Sequence, residues 1–213
     1  MIVTVSGFPA SGTTTVCEGQ LIEHRFDGLN AVHLNGGDIF REMADDRDMS
    51  LSEFSKHVNN NPKIDEEIDG TLRLVVESFA NNDSCRVCSK YGVDDADVLV
   101  FESRLAGWIA GDLADVSVWC ATPLEVRQER VDGDPSKQDP DQLKEREMDE
   151  ANRYVKQYGI DIYDRSIYDL VLNTDSLSPH AAGVAIASLA KNTEETDSVS
   201  SPMQNPFTEY IPN

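Results

Sequence analysis

The sequence predicts an α/β protein, a five-stranded parallel sheet with helices on both faces. Two observations carry this. Short runs rich in β-branched and aromatic residues alternate along the chain with segments of helical periodicity, the order that folds into strand–helix–strand units around a parallel sheet. The first of those runs, "MIVTVS" at 1–6, leads straight into a glycine-rich turn that opens a helix, which places a ligand at the carboxyl ends of the strands.

The elements follow in order. Residues 1–6 read as a buried strand. A helix of about 12 residues starts at Thr13, weakened by Gly19 in its interior. "AVHL" (31–34) is the second strand, and a helix after "NGGD" runs through Phe40 and Met43. Ser50 caps the next helix while Glu53 reaches back, a capping box, and Leu51, Phe54 and Val58 form its apolar stripe. From Pro62 a longer helix carries Ile64, Ile68, Leu72, Val75 and Phe79 at helical spacing. "DVLVFES" (97–103) and "DVSVWCA" (115–121) are the third and fourth strands. Thr122 is expected to cap the following helix, with Pro123 at its first position and Glu125 three residues after the cap. Residues 131–142, dense in breakers, read as a loop, and a charged helix fills 143–157. "YDLVLNT" (168–174) is the fifth strand, and Ser178 with Pro179 opens a last helix with Ala182, Ala185, Ile186 and Leu189 inward. From Asn192 the residues are polar and proline-bearing, and are expected to be disordered.

Composition bounds the function. The 213 residues suit one domain over 1–191 with a tail over 192–213. Eighteen Lys and Arg stand against 39 Asp and Glu, a net charge of −21. Such a surface repels nucleic acid and anionic lipid, so neither is expected as a partner. Counterions in a salt-rich cytoplasm would screen that self-repulsion, and a halophilic source is the expected reason for it. The chain has no apolar run long enough to span a membrane. Its start lacks a basic region and a cleavage site, and its four cysteines are too scattered for a disulfide framework. A cytoplasmic protein is therefore expected. Cys85 and Cys88 form a CxxC, but structural zinc wants a second ligand pair, so the irregular stretch 81–96 reads as a surface insertion. The histidines show no ligand spacing.

The chemistry lies in the first loop. "VSGFPASGTTT" (5–15) has the GxxxxG spacing of a phosphate-cradling loop, with Thr13 where the usual loop has lysine. Gly7 and Gly12 let the N–H groups of the segment through Phe8, Ala10 and Ser11, with Pro9 between them lacking one, turn inward on phosphate oxygens. The helix opened by Thr13, Thr14 and Thr15 adds its positive N-terminal end. Thr14 stands at the hydroxyl position that holds Mg²⁺. Phosphoryl transfer rests on positioning and electrostatic stabilisation, so the charge lost with the lysine must come from elsewhere. Arginines offer it: Arg41 three residues after Asp38 in "GGDIFR", Arg104 in "FESRLAGW", Arg127 and Arg130 in "PLEVRQER". Arg146, Glu150 and Arg153 lie at i, i+4 and i+7 on one helix face. Any one of these alone reads as a surface ion pair of little worth; in so acidic a chain, their concentration after strands favours function.

Over residues 1–190 the chain resembles the archaeal-type cytidylate kinases, nucleoside monophosphate kinases with a P-loop. The likeness is carried by the first loop, "GGDIFREMA", "MSLSEFSKHVNNNPKIDEEID", "ESRLAGW", "PLEVRQERV" and "YGIDIYDRSIYDLVLNT". It implies the P-loop kinase fold, an acceptor segment at about 36–80 and a lid at about 131–142. It implies transfer of the ATP γ-phosphoryl group to CMP or dCMP with Mg²⁺, by a monomer whose partners are these small molecules. Under it, residues 7–15 hold the ATP phosphates, with Thr14 on the metal. Asp38, Arg41, Arg104 and Glu150 bind the acceptor. Arg127, Arg130, Arg146 and Arg153 are catalytic and reach the transferring group as the lid closes and water leaves. Thr13 becomes a family trait. Ala10 and Ser103 stand where the family usually has glycine, and Ser103 fits if its backbone avoids positive φ. Two other readings stay open: a P-loop protein that binds nucleotide without turnover, and a kinase for UMP or another small acceptor.

Overall fold

The computed structural model describes residues 1–22, 26, 28–132 and 140–193. Strands β1 (Ile2–Gly7), β2 (Ala31–Asn35), β3 (Val98–Glu102), β4 (Val116–Ala121) and β5 (Leu170–Asn173) form, among the described residues, one parallel sheet in the order β2-β3-β1-β4-β5. The chain fills one side of β1 first and then crosses to the other. The reversal of direction falls at β1, where open α/β sheets leave a crevice.

Strand alternation splits the core in two. Ile2, Leu99, Phe101 and Trp119 face one side, where they meet α2 (Gly36–Asp45), α3 (Leu51–Asn59), α4 (Pro62–Asn81) and α6 (Ala106–Ala110). Val3, Val5, Val98, Val100, Val116, Val118 and Cys120 face the other, against Val16 and Leu21 and the inner residues of α9 (Pro179–Lys191). Side chains one residue apart on a strand point to opposite faces, so continuous apolar runs are what a doubly covered sheet requires.

Side-chain caps mark the starts of several helices. Ser50 Oγ accepts from Glu53 N at 3.3 Å and Glu53 Oε2 from Ser50 N at 3.0 Å, the capping box of α3. Asn35 Oδ1 accepts from Gly37 N at 2.8 Å at the start of α2, and Ser178 Oγ from Ala181 N at 3.2 Å at the start of α9.

The structure corrects several expectations. The first helix is α-helical only over Thr13–Val16 (α1) and continues as a π-helix over Cys17–Ile22. Gly19 lies inside that wider turn, where Cys17 and Leu21 are fully buried. Thr122 does not cap α7 (Leu124–Val131); Pro123 is the cap residue and makes no side-chain cap bond. The Thr122 hydroxyl instead lies 2.5 Å from Thr174 Oγ1 and 3.3 Å from Ser11 O, tying the first loop to the end of β5. The stretch 81–96 is not a loose insertion. It holds α5 (Arg86–Lys90) and a 3₁₀ turn (Val93–Asp95), and buries Cys88 and Val93 in the core. Cys85 and Cys88 are disulfide-bonded, a pairing the scatter of cysteines did not suggest. Lys90 and Tyr91 then reach Glu42 on α2, the tyrosine hydroxyl at 2.7 Å. Helix α8 (Pro140–Tyr158) begins three residues before the expected 143. Residues 133–139 of the expected lid and 194–213 of the expected tail lie outside the described residues.

One contact joins two sequence motifs. A Cβ on Gly107, in "RLAGW", would lie 2.7 Å from Cε1 of Tyr168, in "SIYDLV". Only glycine lets α6 approach that ring, which itself packs on Trp119 with centroids 5.4 Å apart.

Candidate functional site

The glycine-rich loop leaves β1 at the centre of the sheet. A Cβ on Gly7 would meet Ser11 Oγ at 2.3 Å, Thr13 Cγ2 at 2.9 Å and the Cys120 carbonyl at 3.0 Å, so any larger residue would have to push the loop side chains aside. Gly12 has φ 89°. Ala10, with φ 63°, adopts the same left-handed region with a side chain, a strain of about 1–3 kcal/mol of the kind stored at functional sites. Ser103 is not among the positive-φ residues, so its condition is met.

The carbonyls of this loop are taken from outside. Arg104 Nη1 donates to Gly7 O at 2.5 Å, Arg127 Nη1 to Pro9 O at 3.3 Å, Arg130 Nη1 to Ala10 O at 3.1 Å and Thr174 Oγ1 to Ser11 O at 2.6 Å. The C=O and N–H of one planar peptide unit point opposite ways. Holding the Gly7, Pro9 and Ser11 carbonyls outward therefore turns the N–H groups of Phe8, Ala10 and Gly12 away from those contacts, beside the start of α1, where an anion is favoured; the Ser11 N–H is taken within the loop, by Phe8 O at 3.1 Å.

Arg127 is buried and fully engaged. Its Nε donates to Thr122 O at 3.0 Å, its Nη2 to Glu147 Oε2 at 2.6 Å, and its guanidinium lies 5.2 Å from the Phe8 ring centroid. Arg130 Nη2 also donates to Thr174 O at 2.6 Å. Arg165, which sequence reasoning did not single out, lies 3.5 Å over the Trp119 ring and 5.5 Å from that of Phe8.

Sequence reasoning also missed Glu102, the last residue of β3. Its Oε1 accepts from Thr14 Oγ1 at 2.7 Å; its Oε2 lies 2.9 Å from His33 Nε2 and accepts from Asn35 Nδ2 at 3.2 Å. Burial works to raise its pKa, but hydrogen bonds from His33, Thr13 and Thr14 outweigh it and hold the carboxyl below its usual value. A hydroxyl and an ionised carboxylate beside the phosphate cradle are the hard oxygen donors that Mg²⁺ takes, so the residues fit that ion. Cys17 Sγ and His33 lie within 4.8 Å of Glu102, which gives His33 a partner at the site although no histidine spacing marked it. The available signal was positional: an acid at the carboxyl end of the strand beside the loop.

Away from the loop, on α2, α4 and α8, lies an array of opposite charges. Arg41 pairs with Asp38 on α2, both half-exposed. Arg104 Nε donates to Glu150 Oε2 at 3.0 Å and Arg146 Nε to Glu150 Oε1 at 2.8 Å. Glu150 is buried, which pushes its pKa up, but Arg104, Arg146 and Arg153 more than offset this and hold it ionised. Arg153 Nε lies 2.9 Å from Asp65 Oδ2 on α4, and Tyr158 donates to Asp69 Oδ2 at 2.8 Å. Burial pushes the Asp65 carboxyl up to about 6 and that of Asp69 to about 7.

The expected residues thus fall into two groups. Residues 7–15 with Arg127 and Arg130 surround the loop; Arg146, Glu150 and Arg153 run along α8 towards Asp65, and Asp38 with Arg41 stands apart on α2. Arg104 belongs to both groups, with one nitrogen on the loop and another on Glu150.

Residues 3–157 match the AAA domain family. The chain is 39% identical over 191 residues to the cytidylate kinase of Natronomonas pharaonis, covering 88% of each chain. It is 40% identical over 182 residues to that of Thermococcus sibiricus, covering 84% of this chain and 82% of the relative. Among solved structures, shikimate kinase from Bacteroides thetaiotaomicron shares the fold at TM-score 0.52 and 11% identity, over 90% of this chain and 97% of its own.

Proposed function

The chain belongs to the cytidylate kinase family, and on that premise we propose that it transfers the γ-phosphoryl group of ATP to CMP or dCMP, giving ADP and CDP or dCDP. The observation that carries this reading is the double engagement of Arg104. One guanidinium touches the loop that cradles donor phosphates and the carboxylate at the head of the acceptor array. Two phosphates bound on either side of it would meet there, with their charge shared by a planar fork suited to phosphate oxygens.

In this reading residues 7–15 hold the ATP phosphates through the N–H groups not already used within the loop (Pro9 has none, and that of Ser11 goes to Phe8 O), and Arg127 and Arg130 keep the loop in shape. Arg41 and Arg104 take the acceptor phosphate, with Asp38 and Glu150 as the anions that prearrange them. Arg146 lies beside Arg104 on the shared Glu150 and adds charge where the loop lacks its lysine. Thr14 and Glu102 would hold Mg²⁺, which supplies neutralisation of charge on the β- and γ-phosphates. Segment 36–80 would form the acceptor side, and the region around 131–142 the cover that excludes water. A monomer in the cytoplasm of a halophile fits the charge of −21 and the lack of a helix long and apolar enough to cross a membrane among the described residues.

The test is ADP release measured with ATP, Mg²⁺ and a panel of CMP, dCMP, UMP, AMP and GMP in high KCl. CMP and dCMP are expected to be used far better than AMP or GMP. Equal or better use of AMP overturns the assignment, and no turnover with any acceptor returns the chain to a nucleotide-binding role.

A further inference from the structure

Beyond the arginines that meet phosphate, the α8 face continues to a group that phosphate chemistry does not need. From Arg146 to Arg153 the helix axis advances about 10 Å, comparable with the length of a nucleoside monophosphate. Arg104, at the head of this face, touches the loop; Asp65, at its far end, lies 2.9 Å from Arg153 Nε. Asp65 is only 7% exposed, and its buried Oδ2 accepts no well-formed hydrogen bond among the described residues. Desolvating such a pair costs several kcal/mol, and a well-packed apolar pair would hold α4 to α8 as firmly. A carboxylate oxygen kept dry, ion-paired with Arg153 but accepting no well-formed hydrogen bond among the described residues, at the end of such an array, has the properties of a ligand contact.

The chemistry of the pyrimidine edge says which ligand group fits. Cytosine presents an exocyclic amine that donates, then a ring nitrogen and a carbonyl that accept. Uracil presents a carbonyl, an N–H and a carbonyl. A carboxylate beside a guanidinium complements the first order: the carboxylate accepts from the amine and the guanidinium donates to the acceptors. Against uracil, the carboxylate would face a carbonyl oxygen.

We propose that Asp65 reads the exocyclic amine of the acceptor's cytosine ring and thereby sets the preference for cytosine over uracil, with Arg153 beside it facing the acceptor atoms of the same edge. This rests on the assignment of a cytidylate kinase and names the residue that makes it one. Sites built around a substrate's hydrogen-bonding group reject the analogue that lacks it, because the protein's own polar group is then left unmatched.

The experiment compares kcat/KM for CMP and UMP in the wild type and in Asp65→Asn, whose amide can turn either a donor or an acceptor to the base. The CMP-to-UMP ratio is expected to fall about 10–100-fold, with the KM for ATP and the CMP-to-dCMP ratio unchanged, since neither depends on the base. The exposed neighbour substitution Glu66→Gln should leave the ratio as in the wild type. A second arm needs no variant: the monophosphate of the pyrimidin-2-one ribonucleoside, which lacks the amine, should be a substrate at least about 10-fold worse than CMP for the wild type. An unchanged ratio in Asp65→Asn, or equal use of the amine-less analogue, overturns the proposal. Failure of the wild type to use CMP at all would overturn the functional assignment instead, so the two failures are distinct.

Discussion

The donor and acceptor sides of the site hold their arginines in different ways. Around the loop, Arg127 and Arg130 donate mainly to main-chain carbonyls, those of Pro9, Ala10, Thr122 and Thr174, with one carboxylate, Glu147, on Arg127. Across the acceptor side, Arg41, Arg104, Arg146 and Arg153 pair with the carboxylates of Asp38, Glu150 and Asp65. A carbonyl is neutral and fixed in the backbone, so a phosphate arriving in the cradle has no charge-balanced reason to break those bonds. A carboxylate is an anion with the same two-oxygen fork, so a bound phosphate can take a guanidinium over from it without leaving either charge alone. On the proposed function, the difference would give rigidity to the side that shapes the loop, and exchangeable pairing to the side that binds and releases an acceptor.

The comparison breaks most sharply at Glu102, whose carboxylate meets Thr14, His33 and Asn35. Glu102→Gln keeps its shape but loses the charge beside Thr14, and kcat is expected to fall about 10²–10³-fold, with a raised Mg²⁺ requirement. A variant with wild-type kcat across a Mg²⁺ titration would remove Glu102 from the site. Arg104→Lys tests the junction. It loses the fork that touches both sides, and kcat/KM for CMP should drop about 10–100-fold, the worth of one charge-assisted bond or more. ATP affinity, measured by calorimetry without acceptor, should barely move. If it falls in parallel, the two sides do not separate at Arg104.

The α4 end of the charge array carries a pH signature opposite in sign to that of Glu102 beside the loop, whose lowered pKa gives stability that is lost as pH falls. Burial raises Asp69 to about 7 and Asp65 to about 6, so the folded protein holds protons there that the unfolded chain has released above its ordinary carboxylate range. Stability contributed by these groups is therefore full below about pH 4 and is lost as pH rises towards 7. Asp69→Asn removes one such group. Its melting temperature relative to the wild type should rise between pH 5 and 8, and a constant difference would contradict this. Salt gives the smallest and most general effect. With a net charge of −21, the melting temperature should climb from dilute to molar KCl as repulsion among carboxylates is screened. A flat or falling curve would detach the acidic surface from a halophilic role. At the same salt, the exposed Asp38–Arg41 pair should weaken before the buried Arg127 contacts do.

Much of this molecule was legible in advance, and the misses share a cause. The strands, the capping box at Ser50 and the stripe of α4 follow from signals a few residues long, and they appear where expected. Thr122 also carried a local signal, yet its hydroxyl goes to Ser11 and Thr174, because a partner brought near by the sheet displaced the cap. The stretch 81–96 looked irregular because its order comes from Cys88 and Val93 packing under α4, not from its own periodicity. His33 lacked a ligand spacing because its partner is Glu102, 69 residues away on the adjoining strand.

The sequence by itself determined the alternation of elements, the position of the glycine-rich loop after the first strand and the supply of arginines that follows it. Those rest on periodicity, on glycine's access to torsions closed to other residues and on charge, all local properties. Which arginine meets a carbonyl and which a carboxylate was decided only in three dimensions. Arg104 reaches Gly7 across 97 residues and Arg130 reaches Ala10 across 120. Those distances close only because β3 and β4 flank β1 in the sheet, and strand order is set by how the whole core packs.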